Sequence, residues 1–118
     1  MTTQDRLLEK YRSQSVGPTG GEMYIESEVA LRIPADCEDA DAAIIGVETF
    51  TITPGSTYSH LDGIADYSPS VQRTWGEYRR RCNKSAHEFM QEMLVQKGRN
   101  TYFSFVIIDS SEYENEPG

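Results

Sequence analysis

Cysteine is scarce in this chain: Cys37 and Cys82 are the only two in 118 residues. That is too few for a disulfide scaffold or a four-cysteine zinc site. Their wide separation also rules out a CxxC redox pair. Histidine is equally sparse, with His60 and His87 alone, so no dense imidazole cluster is available. No apolar run approaches the roughly 20 residues that a helical membrane span requires, which excludes an integral helical membrane protein. The start, Met1-Thr-Thr-Gln-Asp-Arg6, lacks the basic-then-apolar layout of a secretory leader, and a cytoplasmic location is the expectation. Gly17, Gly20 and Gly21 are not followed by the Lys-Ser/Thr of a phosphate loop, and neither G-x-S-x-G nor H-E-x-x-H occurs.

What remains is an ordinary globular composition. The mass is 13.3 kDa, with 37% hydrophobic and 25% charged residues, which suits one domain over residues 1–118. Net charge is −8, but it is unevenly spread. Residues 1–70 hold 4 basic and 12 acidic side chains, residues 71–99 hold 7 and 3, and residues 100–118 hold none and 4. The acidic average argues against general nucleic-acid binding, while the middle segment keeps a local anion site open.

Local patterns predict the elements. Thr2 or Thr3 caps a short helix reaching Arg12, with Leu7, Leu8 and Tyr11 on one face. Ser15 to Gly21 reads as a Gly/Pro linker, so residues 1–21 form a helix and a flexible connection. From Glu22 to Ile33, Met23, Ile25, Ser27, Val29, Leu31 and Ile33 alternate with polar neighbours, which predicts a half-buried strand ended by Pro34. An acidic loop, Ala35 to Asp41, then joins it as an antiparallel hairpin to a second strand, Ala42 to Thr53, which Pro54-Gly55 closes. Residues 56–67 show no firm period and read as a long, functional loop. Ser68-Pro69 predicts the start of a long helix with Val71, Trp75, Tyr78, Cys82, Ala86, Phe89 and Met93 in one stripe, stopped by Gly98. Ser85 and Glu88 also resemble a capping box, but the stripe runs through them without a shift. Thr101 to Asp109 is a strand apolar on both faces, and residues 110–118 form an acidic tail. The fold class is therefore α+β, with a three-stranded sheet packed on the long helix in the order α-β-β-α-β. One helix covers one face, so a homo-oligomer is expected to cover the other.

Three function classes follow. The first is a non-enzymatic, acidic binding protein of the inhibitor, immunity, adaptor or phage anti-defence type, occupying a protein partner with a basic surface. Its contacts are Glu26, Glu28, Asp36, Glu38, Asp39 and Asp41, with Glu112, Glu114 and Glu116 of the tail. Spaced carboxylates can compete for a groove built for phosphates. The plainer reading is an acidic loop that keeps a strand edge soluble.

The second class is a binder of a small phosphorylated ligand or nucleotide. It uses Arg73, Arg79, Arg80, Arg81 and Lys84, with Tyr58 or Tyr67 stacking on a base; the arginine fork suits phosphate. A solvated helix face is the plainer alternative. The third is a hydrolase-like enzyme built on His60, Asp62 and Asp66 of the 58–66 segment, with no cradle for a developing charge in view. No metal or cofactor is expected, because the acidic loop lacks the glycine and distant glutamate of a calcium loop. Cys37 among acids is expected to have a raised thiol pKa, and Cys82 to pack in the core.

Overall fold

The computed structural model describes residues 2–16, 23–67 and 74–114. The class is α+β, with five antiparallel strands rather than three and a long helix packed on the sheet. The elements are α1 (Thr3–Glu9), a 3-10 turn (Arg12–Gln14), β1 (Ser15–Val16), β2 (Tyr24–Glu26), α2 (Ser27–Ala30) and α3 (Ile33–Asp39). They continue with β3 (Ala42–Thr53), β4 (Ser56–Asp66), α4 (Trp75–Lys97), β5 (Thr101–Asp109) and α5 (Ser110–Glu114). The strand order is β1-β2-β5-β3-β4.

Two elements form where local signals place them. In α1, Thr2 is the N-cap and exchanges hydrogen bonds with Asp5 in a capping box, although the α-helix ends at Glu9 rather than Arg12. Helix α4 runs unbroken through Ser85 and Glu88, starts on the Thr74 cap and stops at Gly98, whose φ of 73° needs no side chain. The expected helix start at Ser68-Pro69, with Val71, lies outside the described residues, as does the linker beyond Val16.

The long strand expected from Glu22 to Ile33 is wrong. Only Tyr24–Glu26 is extended, and it pairs with β5 rather than forming a hairpin with β3. The Glu26 carboxylate accepts the backbone N–H groups of Glu28 and Val29, which nucleates α2. Pro34 does not end a strand; it sits in the first turn of α3, where a missing N–H costs nothing. The supposed acidic loop is this helix, because Ala30, Ile33 and Cys37 recur at helical spacing and are all buried.

Residues 56–66 are likewise a strand, not a loop. β4 pairs with β3 across the Pro54-Gly55 turn, where Gly55 takes φ 81°. Lying at the sheet edge, most of its side chains are exposed, so no buried face imposes alternation on the sequence. The register slips between Glu48 and Phe50, bulging β4 around residues 60–63.

β5 is central, as its apolar run predicts, and bonds both β2 and β3. Phe103, Phe105 and Ile107 join the main core with Ile25, Ile33, Ile44, Val47, Ala86, Met90 and Met93. A second cluster joins Ile108 and Ala43 to Tyr78 and Cys82. Burying side chains of this size stabilises by about 1.5–3 kcal/mol each. Where β2 is too short to bond all of β5, α1 takes its place: Gln4 Oε1 accepts the Ile107 N–H at 2.7 Å. The expected solvated tail is partly a helix. Asp109 and Glu112 exchange backbone hydrogen bonds in a capping box, and Tyr113 stacks on Tyr78 at 4.8 Å. No helix among the described residues is long and apolar enough to cross a membrane.

Candidate functional site

The basic residues of α4 divide by what they touch. Arg79 is structural: Nη1 lies 2.5 Å from Asp41 Oδ1 and Nε 3.3 Å from Glu38. The Trp75 indole, at 2.8 Å, and Arg79 hold the Asp41 carboxyl below its usual range. Arg80, Arg81 and Lys84 do share one open stripe on the helix, with Ser85 and with Glu77 and Glu88 between them. Three cations beside two carboxylates leave little net attraction for a phosphate. Arg73 lies outside the described residues.

Neither proposed stacking ring joins this stripe as a free platform. Tyr67 is half-buried against both core clusters, and its carbonyl accepts the Tyr78 hydroxyl at 2.5 Å. Tyr58, 61% exposed, pairs with Thr51, which also pairs with Thr101 just past the end of α4. From Lys84 to the end of α4 is about 20 Å of helix.

The 58–66 residues separate in the same way. His60 Nε2 lies 2.7 Å from Thr51 Oγ1, and its ring meets Tyr58 edge-on at 5.0 Å. Asp62 is held by Lys97 at 2.9 Å, which lowers its pKa. Asp66 lies beyond the bulge, opposite Gly46. Among the described residues no three His, Cys, Asp or Glu side chains are grouped to hold a metal. Both cysteines are buried; burial first, then Asp36 and Glu38, pushes the Cys37 thiol up to about 12.

The acids proposed for a partner fall into two sets. Glu26 caps α2. Asp36 receives Lys10 at 3.1 Å and the Tyr11 hydroxyl. Glu38 accepts from Arg79 and, at 2.7 Å, from Asn83 Nδ2. Asp41 is tied as described, and Glu112 serves the α5 cap. Glu28 and Asp39 are exposed and keep their charge for solvent or a partner. The Glu114 side chain and Glu116 lie outside the described residues.

A further concavity escaped the sequence reading. Val106–Gly46–Asp66 and Ser104–Glu48–Ile64 form two adjoining cross-strand rows. With α1 as one wall they enclose a cleft of about 400 Å³. Val106 is 53% and Ile64 51% exposed. Two signals pointed here: a glycine inside the apolar strand 42–53, and Ser104 interrupting the run 101–109. Comparison of the chain with protein-family models, curated proteins and solved structures returns no match.

Proposed function

We propose that the chain is a non-enzymatic binding protein that occupies a basic surface on a macromolecular partner. The observation that carries this reading is the set of exposed carboxylates that stay outside the ion pairs of the fold. Lys10, Arg12, Arg79 and Lys97 are engaged by Asp36, Glu9, Glu38 with Asp41, and Asp62. Glu28 and Asp39 meanwhile face outward on α2 and α3, and Glu48 does so on the open sheet face. Unpaired surface carboxylates steer a cationic partner and make the encounter salt-sensitive. The groups that could have led chemistry are engaged in structure: both thiols are buried, His60 is held by Thr51, and Asp62 by Lys97.

The test is native mass spectrometry of the chain purified gently from its producing cells, wild type beside Glu28→Lys/Asp39→Lys. A protein carried along at low salt, released at about 0.5 M salt and absent from the double variant is the expected result. A co-purifying mass of a few hundred daltons that vanishes in Arg80→Ala/Lys84→Ala would overturn it in favour of a phosphorylated ligand.

A further inference from the structure

The two edges of the sheet differ in length. Among the described residues, β1 at one edge is only Ser15–Val16, whereas β4 at the other runs from Ser56 to Asp66. A strand edge presents a row of N–H and C=O groups that can template a further strand, and long edges are usually guarded by lysine, proline or a bulge. β4 holds no lysine or proline, and its bulge guards only residues 60–63. Ser56, Thr57, Tyr58 and Ser59 keep a regular register with β3 and are all exposed.

The register decides which backbone groups point outward. Ile52 donates its N–H to the Asn100 carbonyl at 2.9 Å, on the β5 side of β3. Its cross-strand partner on β4 is Thr57, and Phe50, two residues along β3, pairs with Ser59. In an antiparallel ladder, a pair that exchanges no bonds directs the polar groups of both residues away from each other. The N–H and C=O groups of Thr57 and Ser59 therefore point off the edge of the sheet, while those of Tyr58 serve β3. Tyr58, 61% exposed, lies midway between them.

We propose that this edge pairs with the β4 edge of a second copy of the chain, antiparallel, about a two-fold axis at Tyr58. That register sets Thr57 of each copy opposite Ser59 of the other, so outward donors meet outward acceptors. The two Tyr58 residues become a closely spaced pair, their Cα atoms about 4.5 Å apart. Charge selects both the site and the occupant. Residues 49–61 contain no Asp, Glu, Lys or Arg, in a chain of net charge −8, and Asp62, the next residue, is paired with Lys97 at 2.9 Å. Two acidic copies meet less repulsion here than at surfaces carrying Glu28 or Asp39, and a neutral strand offers a basic partner little. Leu61, 89% exposed, adds apolar surface at each end of the contact.

The experiment is sedimentation velocity of the full chain from about 10 μM to about 1 mM, at about 50 mM and about 0.5 M salt. A monomer–dimer equilibrium that tightens with salt is expected, because screening relieves the repulsion between acidic copies. Hydrogen exchange read by NMR should show the Thr57 and Ser59 amides slowing as the dimer fills, with Tyr58 unchanged. Ser59→Pro removes an outward N–H and spares the β3 ladder, and should weaken the dimer by about tenfold or more. Should that variant disturb the hairpin, Tyr58→Lys sets two cations opposite each other and should weaken it by a similar factor. A monomer at every concentration and both salts overturns the proposal and would leave the edge to a strand of a different protein. A dimer unchanged by both variants, or one that salt weakens, also overturns it by placing the contact elsewhere.

Discussion

Asn83 of α4 accepts the N–H of Ile44 at 2.9 Å and stands where a neighbouring strand would have stood. Its Nδ2 donates to the carbonyl of Ala42 at 2.9 Å and to Glu38 at 2.7 Å. β4 pairs with β3 only as far as Gly46, so the first peptide groups of β3 need another partner along that edge. The side-chain amide supplies both a donor and an acceptor there. It also fixes where α4 passes the sheet: residues before it, Tyr78 and Cys82, reach Ala43 and Ile108, and residues after it reach Phe103 and Ile107.

Asn83→Leu should therefore cost far more than a change of similar size on the surface. It strands two buried backbone groups, each worth about 1–3 kcal/mol, and the expected destabilisation is about 2–5 kcal/mol. Urea unfolding followed by circular dichroism reads it as a lower midpoint. A midpoint within error of the wild type would show that water replaces the amide and that the edge does not depend on it.

Acid stability should depend on Asp109. Hydrogen bonds from Ser111, Thr3 and the Glu112 backbone hold its carboxyl at about 2 in the folded chain, against roughly 3.9 for an unperturbed aspartate. The depressed value means that its stabilising contribution is complete above about pH 4 and is lost as pH falls through about 2. In Asp109→Asn that part of the acid limb should disappear. Thermal melts of both proteins between pH 6 and about pH 2 give the comparison; parallel curves would remove Asp109 as the cause.

Thiol chemistry should report folding rather than function. The Cys37 thiol, at about 12, is neutral in the fold while an unfolded thiol ionises near 8.5. Stability from keeping it protonated is present below that value and falls as pH rises towards 12. At neutral pH both cysteines should react slowly with a disulfide reagent in the folded chain and fast in urea. Rapid labelling of Cys37 without denaturant would place it at an accessible surface.

α5 should be felt by Trp75, the one tryptophan of the chain. Tyr113 lies 5.5 Å from Trp75 and 4.8 Å from Tyr78. Tyr113→Ala should shift the indole emission to longer wavelength and cost about 0.5–1.5 kcal/mol for each of these ring pairs. An unchanged spectrum would mean that α5 does not cover Trp75 in solution.

The parts of the fold legible in the sequence are those whose signals are local. The stripe from Trp75 to Met93, the stop at Gly98 and the apolar strand at 101–109 each declare themselves within a few residues. Residues 22–33 misled because Ser27 and Ile33 fit both an alternating and a helical pattern. The choice fell to the Glu26 carboxylate, which caps the next turn. The acids of residues 36–41 looked like a displayed patch, yet Lys10, Arg79 and Asn83 engage Asp36, Glu38 and Asp41 in ion pairs and hydrogen bonds. Those partners lie some 25 to 45 residues away in sequence, beyond the reach of any pattern.

By itself, then, the sequence determined the α+β class, the long helix, two of the main strands and the negative charge. Hydrophobic period, caps and composition act over a turn or a strand and leave a readable trace. Only the tertiary structure decided that β5 lies between β2 and β3, that 56–66 is an edge strand, and which carboxylates remain at the surface. It alone assembled the Gly46–Ser104 cleft from three strands and α1. Strand pairing and ion pairing join residues distant in the chain, and their free energy depends on geometry that no local window contains.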